Sequence, residues 1–598
     1  MIAAHSFHIP VMGIGYTIDT PAKVAHYGIS SVVSLVDDLL VEKMREFYCG
    51  QFRMPFNAIG KDEIDYRAKR ITAYLDVLNI IVQNKFLEIK NSTFEKGGEL
   101  HKYLEMAFEN SEIKQKFLEL KDTTIPEKIF EIQNWIKEHL SLGSIDVNIM
   151  TKLDKVNYKK GEQLPVEFND AHAALRGFAK SSLDSSVVLS AGINQHLYSY
   201  IAEFDDFFPD ETGYIKKKII LKVSDYRSAL VQGKLLAKKG LWVSEFRIES
   251  GLNCGGHAFP TDGYLLGPIL EEFRKNRSEL TAQINQTFKK ALEKRGLSGL
   301  GDFSIKITVQ GGIGTAQEHK FLLNHYGANS VGWGSPFLLV PETTNVDCET
   351  LSQLKNAEED DYYLSEISPL GVPFNNLRNN SKDREKERFI SDGTPGSLCP
   401  KDHLALNNEF GERALCTASR KYQKQKIEEI MSGDLPQSEK DEAIKAVKEK
   451  ACICVGLGTA ALINNNLDTK IEGSGVSICP GPALVSFDKT YSLKEMVEHI
   501  YGRIDLLAGV ERLHFFVREL KMYADFLFES VKKLQNNDEK QKNYLAEFRK
   551  NMLDGIEYYL SLFPAISDLP EKIKTKSLEI CCQIKSKIEG LTLLQEPK

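Results

Sequence analysis

A chain of 598 residues with a formal net charge of −7 is too long for one ordinary core and too acidic for a nucleic-acid binder held by phosphate contacts. Its 42% hydrophobic, 9% aromatic and 27% charged residues are those of a globular protein, and no apolar run approaches the length of a membrane helix. The opening MIAAHSFHIPVMG lacks a basic stretch followed by an apolar one, so the expectation is a cytoplasmic protein without a secretion signal. There the ten cysteines serve as thiols or ligands rather than disulfides.

Eight β-type runs fall within the first 340 residues. In chain order they are 8–15 (HIPVMGIG), 29–36 (ISSVVSLV), 145–150 (IDVNIM), 187–192 (VVLSAG), 217–223 (KKIILKV), 241–249 (LWVSEFRIE), 305–311 (IKITVQG) and 328–334 (ANSVGWG). Segments with helical spacing, such as 20–27, 226–239, 265–294 and 315–326, separate most of them. Alternation of apolar strands with helices predicts a parallel sheet, and a count of eight predicts an α/β fold closed into a (β/α)8 TIM barrel. Residues 37–144 interrupt the pattern with amphipathic helices, clearest in DYRAKRITAYLDVLNIIVQNKFLEI (65–89). They are read as an insertion capping the barrel, with a long crossover packed on the outside as the alternative. After the eighth run, 345–437 is polar and turn-rich, and from 492 onward the spacing is helical again. The expected organisation is a barrel of 1–36 and 145–342, an inserted helical unit of 37–144, a cysteine-containing lobe of 343–484 and a mostly helical region of 485–598.

In such a barrel the chemistry sits at the C-terminal ends of the strands, and phosphate is commonly held by the loops after strands seven and eight. Here those loops carry Gly311, Gly312 and Gly314, then Gly332, Gly334 and Ser335. Glycine permits close backbone approach, Thr315 opens a helix whose amides attract an anion, and Ser335 adds a hydroxyl. The alternative is a pair of plain turns. The loop after strand six, GLNCGGHAFPTDGYLLGPIL (251–270), places His257 just beyond Gly255 and Gly256.

The segments IPVMGIGYTIDTPAKVAHYGISSV, DVNIM, SGLNCGGHAFPTDGYLLGPIL, VQGGIG and GANSVGWGSPFLLVPE, in this order, resemble the nitronate monooxygenase (2-nitropropane dioxygenase-like) family, which includes FMN-dependent enoyl-acyl-carrier-protein reductases. The resemblance covers residues 8–342 apart from the inserted helices. It implies FMN in the barrel, with His257 beside the flavin ring acting on the substrate's proton. It places Asn148 on the flavin or its phosphate, Met12 and Gly13 against the isoalloxazine and Lys222 at its polar edge. The family's usual Gln, Glu and Ala are here Ser250, Asn253 and Cys254, which puts nitronate oxidation in question and leaves Cys254 as a reactive thiol or a small buried residue.

Five cysteines, Cys399, Cys416, Cys452, Cys454 and Cys479, fall in the lobe near proline, glycine or turn residues. Thiolate clusters of four suit an iron–sulfur centre or zinc; buried, unligated thiols are the third reading. The other cysteines, Cys49, Cys348, Cys581 and Cys582, are expected to be structural. The expected function is an FMN-dependent oxidoreductase fed by an iron–sulfur centre, with NAD(P)H as one candidate electron donor. The substrate is a small molecule or a carrier-bound acyl chain. A reductase acting on RNA, contacted through the basic runs 381–389 and 419–426, and a non-catalytic flavin-binding protein are the alternatives.

Overall fold

Eight parallel strands close into a barrel in chain order: β1 (Phe7–Ile9), β2 (Ser30–Ser34), β3 (Ile145–Met150), β4 (Ser185–Ser190), β5 (Lys217–Val223), β6 (Val243–Glu249), β7 (Lys306–Gln310) and β8 (Ser330–Gly332). The computed structural model describes residues 4–190, 192–534 and 538–591. Each expected run overlaps one of these strands, and helices lie between them. Two strands depart most from the position of their runs. β1 stops before Pro10, which has no N–H for a ladder, and Gly13 then turns the chain at φ +54°. The run at 187–192 gives a strand ending at Ser190; Ala191 lies outside the described residues.

Side chains alternate across a strand, so an inward residue fixes the direction of its neighbour two positions on. Val32, Val188 and Ile220, from β2, β4 and β5, form a small apolar layer with Val11 inside the barrel. Glu245 pairs with Arg247 at 2.7 Å and accepts a 2.5 Å hydrogen bond from Thr308, tying β6 to β7. The same parity directs Ser34, Asn148, Ser190, Lys222, Glu249 and Gln310, each two residues further on, into the barrel mouth.

Five helices separate β2 from β3. The longest, α1 (Tyr66–Asn91), buries Ile71, Leu75, Leu78 and Val82 and packs on the outer helix Asp170–Lys180. The approach is close at Gly177, where a Cβ would lie 2.8 Å from the Ala68 carbonyl oxygen. No residue of 37–144 lines the central cavity. The expectation of a capping insertion is therefore corrected: the apolar stripe of α1 is spent on the barrel's outer wall.

The barrel mouth is covered instead by chain beyond residue 342. An antiparallel pair, β9 (Tyr362–Ser365) with β10 (Phe374–Leu377), lies beside the loop after β6, linked by Ala258 N–H to Pro373 O (2.9 Å) and Asn375 N–H to Gly256 O (2.9 Å). The helix Leu266–Lys294 (α2) follows that loop, and the lobe helix α3 (Ile453–Asn464) caps the β1 loop through Gly15 N–H to Leu457 O (2.8 Å). Helices α4 (Phe515–Lys532), α5 (Glu539–Ala565) and α6 (Glu571–Glu589) pack together, α4 and α5 also against α2. A buried ionic network fastens the lobe: Lys401 reaches Asp37 at 2.6 Å and Glu472 at 3.0 Å, and Lys43 reaches Glu472 at 2.8 Å. Burial alone would raise the Asp37 carboxyl, but Lys401 and His403 hold it well below the carboxylate range.

Several cations of the lobe's basic runs are paired within the chain. Lys382 pairs with Glu385, Arg384 with Glu349, and Lys426 with Glu409 (2.6 Å) and Glu429 (3.0 Å). Among the described residues no helix is long and apolar enough to cross a membrane.

Candidate functional site

A cavity of about 430 Å³ opens at the C-terminal ends of the strands. Met12, Gly13, Asn148, Lys222, Gly255, Gly256, His257, Gly311, Gly312, Gly332, Gly334 and Ser335 all line it. Its floor is the ring of polar strand ends set by β parity. Its roof is apolar and comes from the lobe: Phe374, Leu404, Ile453, Leu457 and Ile478.

The floor holds polar atoms that the chain does not satisfy. Asn148 Oδ1 and Asn253 Oδ1 are buried without a hydrogen-bond partner among the described residues, while Gln310 Oε1 faces the His8 ring. Unpartnered buried polar atoms are costly, so these are positions for a polar ligand. Lys222 Nζ lies 2.7 Å from Glu249 Oε2, and burial pulls the lysine down to about 8. Cys254 donates a weak bond to Gln310 O at 3.7 Å, and burial pushes its thiol up to about 11, so it is an uncharged thiol at neutral pH.

The glycine loops form a cradle that side chains would fill. Gly311 and Gly312 sit at φ +115° and +83°, and a Cβ on Gly312 would lie 1.9 Å from Asn253 Nδ2. Ser335 Oγ accepts Gly481 N–H at 2.7 Å and keeps its own proton to donate. Gly314 is the exception among the expected residues, since it lies off the cavity wall. Glu318 accepts the N–H groups of Gly314 (2.9 Å) and Thr315 (3.2 Å) in a capping box, and its own N–H is taken by Thr315 Oγ1, so part of the set expected to attract an anion is occupied within the chain. Arg512, from the C-terminal region, pairs with Glu318 and donates to Gly312 O at 2.5 Å, placing a cation behind the loop.

His257 Nε2 is 2.7 Å from Ser368 Oγ, and its ring meets Phe374 edge-on at 5.1 Å. Nδ1 has no hydrogen bond within the described residues and is left for exchange. Burial pulls the imidazole down to about 4, so it is neutral at physiological pH.

The five lobe cysteines do not form one set. Cys452 lies against Cys399 and Cys454, and Cys416 is near enough to feel Cys399 and Cys452. Cys479 stands apart, with its thiol facing the amides of Gly13 and Gly256. Cys454 and Cys479 line the cavity. Among the described residues no group of three or more His, Cys, Asp or Glu side chains is spaced to hold a metal ion.

Sequence reasoning missed Ser368, Gln310, Glu249 and Arg512. Parity along β6 and β7 points to Glu249 and Gln310; no local signal marks Ser368 or Arg512, which arrive from 111 and 200 residues away.

Neither a protein-family model nor a curated protein matches the chain. Among solved structures it is similar to FabK from Thermotoga maritima, at 14% identity over 68% of this chain and 85% of that one, with a TM-score of 0.29. It is similar to the enoyl reductase domain of MlnA from the macrolactin biosynthesis cluster of Bacillus amyloliquefaciens, at 15% identity over 65% and 88%, with a TM-score of 0.33. It is also similar to nitroalkane oxidase from Streptomyces ansochromogenes, at 10% identity over 85% and 97%, with a TM-score of 0.35.

Proposed function

We propose that the chain is an FMN-dependent oxidoreductase of the nitronate monooxygenase-like type, in which His257 moves a proton beside the flavin. The observation that carries this reading is the convergence on one cavity of His257, Met12, Gly13, Asn148, Lys222 and the two glycine loops, over a floor of unpartnered polar atoms. The residues fit the cofactor. Gly311, Gly312, Gly332, Gly334 and Ser335 would hold its phosphate, Asn148 and Gln310 its polar edge, and Lys222 a carbonyl or ring nitrogen. When bound, the flavin supplies hydride or single-electron transfer.

The chain's own groups do the rest. Ser368 orients the His257 ring, and the neutral imidazole takes a proton at Nδ1 and, as imidazolium, returns it. The lobe excludes water from above. Its apolar roof favours a substrate with a hydrocarbon portion and an activated double bond, free or carrier-bound, over a small nitronate. The test is anaerobic assay of the purified protein with NADH or NADPH and a 2-enoyl thioester. Thioester-dependent oxidation of the nicotinamide supports a reductase; its absence, together with nitroalkane-dependent oxygen uptake in a parallel aerobic assay, assigns the oxygenase chemistry.

Cys399, Cys416, Cys452 and Cys454 are the thiols that a lobe iron–sulfur centre, or zinc as the alternative, would use. The Asp402 amide 3.3 Å from Cys399 Sγ is the kind of donor such a thiolate uses. Their present spacing opposes it, so no step above passes through a metal. Iron, sulfide and zinc analysis of anaerobically purified protein decides between them.

A further inference from the structure

Helix α4 carries Glu519, a carboxyl outside the cavity and 1% exposed. Its Oε1 is 2.6 Å from Ser250 Oγ; its Oε2 accepts Leu266 N–H at 2.8 Å and lies 3.4 Å from the Tyr559 hydroxyl. Among the described residues it has no ion pair. The titratable groups facing it are Cys254 on the loop after β6, Tyr523 on α4 and Tyr559 on α5, all uncharged at neutral pH. A carboxylate buried without a cation is costly, and protonation relieves the cost. Ser250, in turn, lines the cavity and accepts Asn253 N–H at 3.1 Å.

We propose that Glu519 is the proton reservoir of this cavity, exchanging with it through the Ser250 hydroxyl. With Glu519 ionised, Ser250 donates to the carboxylate and offers the cavity a lone pair. With Glu519 protonated, the carboxyl donates to Ser250 Oγ and the serine O–H turns inward. Delivery breaks the Ser250 O–H bond as the Glu519 proton moves onto Oγ. One proton enters the cavity, Glu519 is left as carboxylate, and no electrons move. The inference rests on the flavin reading for what receives the proton, but the titration belongs to the chain alone. Burial raises the carboxyl to about 7, which places the exchange near neutrality.

The test is an infrared titration of the full-length protein, with and without FMN, on wild type, Glu519→Gln and Ser250→Ala. A protonated-carboxyl band that titrates near pH 7, persists in Ser250→Ala and disappears in Glu519→Gln is the expected result. In steady-state assays both variants should keep FMN and lose the rate break near pH 7, with Ser250→Ala about 100-fold slower at pH 6. A carboxyl that titrates with ordinary glutamates, or a break that survives in Ser250→Ala, overturns the proposal. Should Glu519→Gln fail to fold, the wild-type titration and Ser250→Ala decide alone. Failure to bind FMN sinks the flavin reading, while the band in FMN-free protein still tests Glu519.

Discussion

Lys401→Met should uncouple the lobe from the barrel. Asp37 is fully buried, and the Lys401 and Glu472 side chains are 3% and 1% exposed, with Lys401 at 2.6 and 3.0 Å from the two carboxylates. The substitution leaves Glu472 with Lys43 at 2.8 Å, but leaves Asp37 with His403 at 3.5 Å and the Leu40 N–H at 3.0 Å. Removing one partner of a buried pair costs about 3–5 kcal/mol, because the remaining charge is stranded. Removing both strands nothing on this side, so Asp37→Asn with Lys401→Met should recover half or more of the loss. The assay is urea unfolding of the three proteins, read as midpoint and slope. The Asp37 carboxyl is depressed, so its contribution is present above the unfolded value of 3.8 and lost as pH falls below it. The penalty should therefore hold from pH 5 to 8 and fade in acid. A Lys401→Met loss below about 1 kcal/mol, or a double variant as unstable as the single, would refute the reasoning.

Three further outcomes are expected. His257→Ala should retain FMN and lose turnover. Because burial lowers this imidazole to about 4, the wild-type rate should show no break at 6.5 owing to it; such a break, lost in the variant, would contradict the neutral ring. Gly312→Ala should lose FMN, since its Cβ would meet Asn253 Nδ2 at 1.9 Å with φ at +83°; retention of the flavin's visible spectrum after gel filtration would show that the loop does not hold the phosphate. Glu519 is raised from 4.5 to about 7, so the stability it contributes is complete below 4.5 and lost as pH rises through 7. Glu519→Gln should flatten that slope by about 3 kcal/mol between pH 4.5 and 8, and an unchanged slope would contradict the raised value.

The barrel was legible in the sequence because its signal is local. Apolar β-branched runs such as KKIILKV mark strands, the intervening helices force them parallel, and glycines after β7 and β8 mark a backbone that must approach something closely. What was not legible depends on contacts across long separations. An amphipathic stripe says that α1 is covered, without saying that the outer helix Asp170–Lys180 covers it. The Thr315 amide reads as an anion donor from its local sequence, whereas Glu318 takes it, held in turn by Arg512, 194 residues away. Glu519 lies 269 residues from Ser250; its spacing from Phe515, Phe516 and Tyr523 puts it on the buried face of its helix, but no local signal names Ser250 as its partner. Cysteine spacing likewise suggested one group of five, whereas the fold sends Cys479 to the cavity wall.

The most direct measurement is to denature the freshly purified protein and identify the released chromophore by mass and absorption. One FMN per chain, absent from Gly312→Ala prepared in parallel, is the expected result. A colourless protein that neither releases FMN nor shifts the spectrum of added FMN would contradict the central claim.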